Sequence, residues 1–200
     1  MGSKDRILRL KEETRCNILT AALRIVKEEG WQALSMRKIA DLIEYTAPII
    51  YEYFANKEAI LLELTRMGYL KLARELQEAK DKHTSPAKQL EDMWLAYWNY
   101  AFANKELYQV MFGITTTCSC EMVNKLEEAS LPWDLISSSI GELMKIDDLD
   151  SDIICTKYYT FWSVVHGLVS INLLNRDSGD DINKQVLRDA ITGIIRSITP

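Results

Sequence analysis

The sequence has few residues that end helices and no pattern typical of strands. Only eight glycines and four prolines occur among its 200 residues, and no stretch alternates apolar and polar residues over the length of a strand. Long helices joined by short connections are therefore expected. The predicted fold class is all-α, with about nine helices around a sizeable core, because hydrophobic residues make up 48% of the chain.

Long apolar runs are also missing. No stretch of about eighteen apolar residues occurs, so neither a transmembrane helix nor a membrane partner is expected. The first residues, MGSKDRILRLKEE, contain no apolar core of a signal peptide, and Arg6 breaks the myristoylation pattern. We therefore expect a cytoplasmic protein whose four cysteines stay reduced.

The short motifs of common enzymes and metal sites are absent as well. The sequence has no glycine-rich phosphate loop, no His-Glu-x-x-His and no Gly-x-Ser-x-Gly. A zinc site needs three or four ligands, and the chain has only two histidines. We expect no enzymatic activity, no metal and no cofactor. Cys118 and Cys120 form a Cys-x-Cys pair, which leaves a thiol-based redox sensor open.

Charge is distributed unevenly along the chain. The net charge is −5, but residues 1–57 carry a net +2 and the remaining residues carry −7. A slightly basic head on an acidic body suits local contact with DNA. Acidic surfaces also serve solubility alone, so the charge pattern by itself does not decide the function.

Two short helices follow one another between residues 34 and 61. Ser35 is a favourable N-cap residue for the first. Thr46 repeats that position eleven residues later, and Pro48 is tolerated only in the first turn of the helix that follows. Asn56 can cap a third helix. Two short capped helices packed on a third form a helix-turn-helix, whose second helix can enter a DNA major groove. An αα-corner that touches no nucleic acid remains the alternative.

Three segments in this stretch carry a family pattern: Ser35-Met-Arg-Lys-Ile-Ala40, Tyr51-Glu-Tyr-Phe54 and Asn56-Lys-Glu-Ala-Ile-Leu61. Together they resemble the N-terminal DNA-binding domain of the TetR family of bacterial transcriptional regulators. Two positions depart from the family pattern. Glu44 stands where the turn usually has glycine, and Pro48-Ile49 replaces a usual Gly-Thr in the recognition helix. These departures leave open a helical interaction module that has lost DNA binding.

The resemblance implies a set of DNA-contacting residues. By that resemblance Tyr51, Lys57 and a residue near Arg37 contact phosphates, which position the protein on DNA. Ala47 and Ile49 are apolar and suit contact with a thymine methyl group. The predicted DNA-binding residues are Ser35, Arg37, Thr46, Ala47, Pro48, Ile49, Tyr51 and Lys57.

A second motif lies in Phe161-Trp-Ser-Val-Val-His-Gly-Leu168, which resembles the Trp-His-Gly (WHG) signature of one C-terminal domain class in the same family. Gly167 within it suggests a close approach of two helices. Aromatic and methionine side chains in the body predict an effector pocket, although plain core packing is the more frequent explanation for any one such residue. The predicted effector-binding residues are Met93, Trp94, Tyr97, Trp98, Met111, Phe112, Trp133, Trp162 and His166.

The domain organisation expected from the resemblance is a DNA-binding domain at 1–56 and an effector-binding and dimerisation domain at 57–200. The last two long apolar helices need a partner surface, and the family pairs them as a four-helix bundle, so a homodimer is expected. The predicted function is a ligand-responsive transcriptional regulator. A repressor released from a palindromic double-stranded operator by a small, largely apolar effector is favoured.

Overall fold

The computed structural model describes residues 3–113, 126–174 and 180–199. Within these ranges the regular structure is helical, with nine α-helices and no strand, which confirms the all-α prediction. The helices are α1 (Ser3–Glu29), α2 (Met36–Leu42), α3 (Ala47–Tyr53), α4 (Lys57–Lys80), α5 (Pro86–Ala103), α6 (Lys105–Gly113), α7 (Leu131–Met144), α8 (Asp152–Leu174) and α9 (Asp180–Ile198). None of the helices so described is long and apolar enough to cross a membrane. Cys118 and Cys120 lie outside the described residues.

The chain forms two compact units. The first comprises Met1–Gly68 with Glu106–Leu126, and the second comprises Tyr69–Lys105 with Glu127–Pro200. Helix α4 begins in the first unit and continues into the second, so the boundary falls inside a helix. The division into domains at 1–56 and 57–200 remains a prediction about function.

The first unit is built on α1. Its inner face carries Ile18, Ala22, Ile25 and Val26, all of them buried, as the helical spacing predicts. Gly30 follows the last turn with φ of 84°, a backbone conformation that side chains with a Cβ rarely adopt. Helix α1 accordingly ends at Glu29, directly before this glycine. Helices α2 and α3 pack on each other, and α2 also packs against α1.

In the second unit α5 packs against α7, α8 and α9. A close approach occurs at Gly141, where an added Cβ would lie 2.8 Å from the backbone oxygen of Ile146. The approach expected at Gly167 is wrong for the described part of the chain, since a Cβ there would meet no heavy atom within 4 Å. The close contact therefore lies between a helix and the loop that follows it, which no local motif announces.

Candidate nucleic-acid interface and effector site

Helix α2 begins as its sequence predicts. The Ser35 hydroxyl accepts a hydrogen bond from the Lys38 backbone N–H at 3.2 Å, which satisfies one of the unpaired amides of the first turn. Met36, Ile39 and Ala40 are buried, so the helix presents one apolar face to the core of the first unit. Arg37 lies on the exposed side, where its guanidinium is available to solvent or to a phosphate.

The turn after α2 keeps a glycine-like backbone although it contains no glycine. Glu44 has φ of 59°, in the left-handed region. The Tyr45 N–H donates to the Ala40 carbonyl at 2.9 Å, and the Glu44 N–H donates to the Asp41 carbonyl at 3.5 Å. These two bonds form a Schellman motif, in which glycine is the usual residue at the left-handed position. The departure at Glu44 therefore leaves the turn geometry in place, at the cost of a strained backbone.

Helix α3 starts at the predicted position but without the predicted side-chain cap. Thr46 has the extended backbone of an N-cap residue, yet its hydroxyl makes no cap hydrogen bond within the described chain. The reason lies in the next residues, because a cap bonds the second or third amide of the helix. Pro48 has no N–H, and the Ile49 N–H already donates to the Thr46 carbonyl at 3.0 Å. The exposed Thr46 hydroxyl is therefore left for another acceptor or donor.

The outer face of α3 is open to solvent. Thr46 and Pro48 are exposed, and 55% of Tyr51 is accessible. Ala47 and Ile49 are half-buried beside them. On the opposite face Ile50 and Phe54 are buried, so this face packs into the first unit. Seven of the eight predicted DNA-binding residues thus lie at the ends or the outer face of the two helices of the motif: Ser35, Arg37, Thr46, Ala47, Pro48, Ile49 and Tyr51.

Lys57, the residue expected to bind phosphate at the start of α4, also contacts its own chain. Its Nζ donates to the Gln32 carbonyl at 3.1 Å and lies 5.7 Å from the centroid of the Trp31 ring. An ammonium has three N–H donors, so this contact leaves donors for a phosphate. The lysine is held against the short 3-10 turn at Trp31–Ala33, which fixes where its charge lies.

A network of charges joins α1 and α4, and the sequence signals only half of it. Glu63 accepts from Arg66 at 2.7 Å and pairs with Arg15 at 3.2 Å. The Arg15 guanidinium also lies 5.3 Å from the centroid of the Phe54 ring, at the end of α3. Hydrogen bonding from Arg66, aided by Arg15 and opposed by burial, lowers the pKa of the Glu63 carboxyl. The spacing of Glu63 and Arg66 on one helix was visible in sequence, whereas Arg15 is too distant along the chain.

Most of the predicted effector residues gather around one aromatic cluster in the second unit. Trp94 on α5 lies 5.7 Å from Tyr97 and 5.6 Å from Phe161, ring centroid to centroid. Tyr158 lies between Trp94, at 6.1 Å, and Trp133 on α7, at 4.4 Å. The sequence interpretation omitted Tyr158 and left Phe161 out of the predicted site, although both share α8 with Trp162 and His166.

The cluster continues along α8 through Trp162 and His166. Their rings stack at 4.6 Å with an interplanar angle of 14°, which the four-residue spacing on one helical face permits. The Tyr97 hydroxyl lies 3.4 Å from His166 Nδ1, a long contact between α5 and α8. Burial lowers the pKa of the His166 imidazole, so the neutral ring predominates at neutral pH.

The remaining candidates are placed differently. Met93 and Trp98 are buried on α5, and the Trp98 ring packs against Phe102 at 4.6 Å. Met111 and Phe112 lie on α6, which belongs almost entirely to the first unit. The structure thus groups Trp94, Tyr97, Trp133, Trp162 and His166, whereas Met111 and Phe112 are parts of the other unit.

In proteins with a helix-turn-helix, an exposed second helix of this kind is the element that enters a DNA major groove. Residues 18–64 match the sequence model of the family described as bacterial regulatory proteins, tetR family. The matched range contains the whole helix-turn-helix and the three segments that resemble the DNA-binding domain of this family.

Known proteins of both regulatory senses resemble the chain. It is 23% identical over 100 residues to the transcriptional repressor NicS of Pseudomonas putida, covering 50% of this chain and 47% of NicS. It is 24% identical over 136 residues to the transcriptional activator FasR of Mycolicibacterium smegmatis, covering 66% and 62%. The chain thus matches about half to three-fifths of the length of these relatives.

A similar fold occurs in FadR of Bacillus subtilis, whose crystal structure contains stearoyl-CoA. The TM-score is 0.71 at 18% identity, covering 89% of this chain and 98% of that one. At this level of identity the likeness concerns the fold alone.

Proposed function

We propose that this protein is a ligand-responsive transcriptional repressor that binds a palindromic operator in the cytoplasm as a homodimer, without enzymatic activity. The observation that carries the proposal is the outer face of α3. Thr46, Pro48 and Tyr51 stand exposed on it, while buried Ile50 anchors the helix to the first unit. A short helix held this way can enter a major groove without rearrangement of its own core.

Contacts with phosphates come from the residues that surround this face. Arg37 is exposed, and the Thr46 hydroxyl makes no cap hydrogen bond. The Lys57 ammonium has N–H donors beyond the one that bonds Gln32. The readout of bases falls to Ala47, Ile49 and Pro48, which are apolar. Apolar contacts with thymine methyl groups, together with the shape of the DNA, therefore supply much of the sequence specificity.

The exposed apolar side chains of α8 and α9 support the homodimer. Between 44% and 72% of each of these side chains is accessible: Ile153, Tyr159, Ile171, Ile182 and Val186. Burying such a set against a second copy would remove them from water and stabilise the pair. A two-fold axis would then place two recognition helices about 34–36 Å apart, the repeat of one turn of DNA.

The body of the protein, which resembles the WHG class, would hold the effector at the aromatic cluster of Trp94, Tyr97, Trp133, Trp162 and His166. An effector releases DNA only if it binds more tightly to a conformer with misplaced recognition helices. Helix α4 is the covalent route for this coupling, because one helix carries residues of both units. The FadR structure with stearoyl-CoA supports the use of such a fold for a ligand that has a long apolar chain.

The test is capture of operator DNA by the purified full-length protein. Sheared DNA from the source genome is incubated with the protein over a series of salt concentrations, and the retained fragments are sequenced. Enrichment of one palindromic site, weakening steeply as salt rises, is the expected result. Weak, unselective retention at all salt concentrations would instead support an interaction module without operator binding.

Two single substitutions test whether DNA binding uses the exposed face of the helix-turn-helix. Arg37→Ala should weaken binding to all DNA sequences alike and reduce the slope of log affinity against log salt by about one. Lys82→Ala removes an exposed lysine of the second unit and should leave both quantities unchanged. Equal effects of the two substitutions would show that net charge, and not the outer face of the motif, governs DNA binding.

Ile171→Asp tests the homodimer, because it places a charge on the exposed apolar side of α8. Sedimentation should report a monomer, and operator affinity should fall because the two heads are no longer linked. If the protein remains a dimer after the substitution, the dimer interface does not lie on this face.

A further inference from the structure

The indole nitrogen of Trp94 is buried without an acceptor. The side chain is 0% exposed, and its Nε1 has no hydrogen-bond partner among the residues that the structure describes. An indole N–H can only donate, so no change of tautomer satisfies it. Buried polar groups in native proteins nearly always have a partner, and an unmatched donor costs free energy. An acceptor brought by a ligand would remove this cost.

The surroundings of Trp94 indicate what kind of ligand fits. The Phe161 ring is stacked on it at 5.6 Å with an interplanar angle of 16°, and the Tyr97 and Tyr158 rings lie at 5.7 and 6.1 Å. Such flat apolar surfaces favour an aromatic molecule that adds to the stack. The surroundings of Trp94 therefore offer a ligand the indole N–H as a hydrogen-bond donor, with aromatic rings around it.

The same surroundings select against a charged acceptor. Burial raises the pKa of the Tyr158 hydroxyl and lowers the pKa of the His166 imidazole, so both groups stay uncharged at neutral pH. A carboxylate placed beside Trp94 would lose its hydration without gaining an opposite charge from these rings, which is unfavourable. A neutral acceptor, such as a carbonyl oxygen, loses far less hydration on burial.

We infer that the effector is an uncharged aromatic molecule whose carbonyl-type acceptor receives the hydrogen bond of Trp94 Nε1. This inference rests on the proposed function in taking the aromatic cluster as the effector site. It goes further in assigning the donor, the neutral charge and the planar shape of the ligand.

Two probes that differ in one atom test the assignment. 2-Acetylnaphthalene carries a carbonyl oxygen where 2-isopropenylnaphthalene carries a CH₂ group, with nearly the same shape. Equilibrium dialysis of each against the full-length protein, without DNA, measures the two dissociation constants. The wild-type protein should bind the ketone about tenfold more tightly than the alkene, the effect of one buried hydrogen bond.

Trp94→Phe removes the N–H and keeps an aromatic ring, so the preference for the ketone should fall to about onefold. Trp31→Phe makes the same change in the first unit and should leave the tenfold preference intact. Equal binding of both probes by the wild-type protein, binding of neither, or a preference that persists in Trp94→Phe would overturn the assignment. The wild-type comparison stands even if Trp94→Phe does not fold.

Failure of the assignment is distinguishable from failure of the proposed function. The dialysis contains no DNA, so a tenfold preference that depends on Trp94 supports the ligand site even if no operator is found. Conversely, selective operator binding without a probe preference keeps the regulator and removes this ligand chemistry. Release of the captured operator by the ketone, and not by the alkene, would show that the ligand site controls DNA binding.

Discussion

Replacing Glu63 by glutamine tests whether one carboxylate stabilises the contact of α1 with α4. The side chain is 14% exposed and meets two guanidinium groups, of Arg15 and Arg66, that are 31% and 34% exposed. Hydrogen bonds to charged groups contribute about 1.5–3 kcal/mol when shielded from water, and partial exposure of both arginines reduces this through solvent screening. Glutamine also keeps one oxygen that can accept from an arginine. Glu63→Gln should therefore lower the free energy of unfolding by about 1–2 kcal/mol.

The effect of Glu63→Gln on stability should depend on pH. The pKa of Glu63 is lowered from its usual value of 4.5 in the folded protein, so its stabilisation is fully present above the unfolded pKa. It is lost as the pH falls from about 4.5 through the folded value. The difference in stability between the wild-type protein and Glu63→Gln should hence be constant from pH 8 to about 5.5 and shrink below pH 4.5.

Urea unfolding followed by circular dichroism, at one fixed protein concentration and several pH values, measures both effects. Glu78→Gln is the matched control, because Glu78 lies on the same helix in an exposed ion pair with Arg74, each side chain being 68% accessible. It should change stability by less than about 0.5 kcal/mol. Equal effects of the two substitutions, or a loss for Glu63→Gln that does not diminish as the pH is lowered below 4.5, would refute the reasoning.

Five further substitutions have outcomes that follow from local geometry. Glu44→Gly should stabilise the protein by about 1 kcal/mol in urea unfolding, because glycine adopts the left-handed backbone without strain; a loss of stability would contradict this. Gly141→Ala should destabilise by about 1–3 kcal/mol through contact with the following loop, whereas Glu142→Ala, exposed beside it, should stay within about 0.5 kcal/mol. Ser35→Ala should cost about 1 kcal/mol of stability through its lost cap. Thr46→Ala should change stability little but weaken operator binding; equal losses of stability would show a cap at both positions.

The boundaries of the helix-turn-helix were predictable because their causes are local. Ser35 lies three residues from the amide that it caps, and Pro48 and Gly30 act through the backbone of their own turns. Such signals need no knowledge of the rest of the chain. The resemblance to a known family rests on the same short segments, and the family model matches the part of the chain that contains them.

The hydrogen bonds of neighbouring residues determined two features that residue type alone did not predict correctly. Thr46 has the residue type and backbone of a cap, but Pro48 and the Ile49 amide leave it nothing to bond. Glu44 lacks the freedom of glycine, yet the two hydrogen bonds of the turn hold it in the left-handed region. In both cases the residue type pointed one way, and the bonds formed around it determined the outcome.

The sequence by itself determined the helical content, the helix-turn-helix and the aromatic character of the body. Only the tertiary structure decided which of those aromatic rings meet, joining Trp94 to Phe161 and Tyr158 and leaving its N–H without an acceptor in the described chain. Only the tertiary structure brought Arg15 to Glu63 as well. The physical reason is range: capping and helical spacing act over three or four residues, whereas burial and ion pairing depend on which helices pack together.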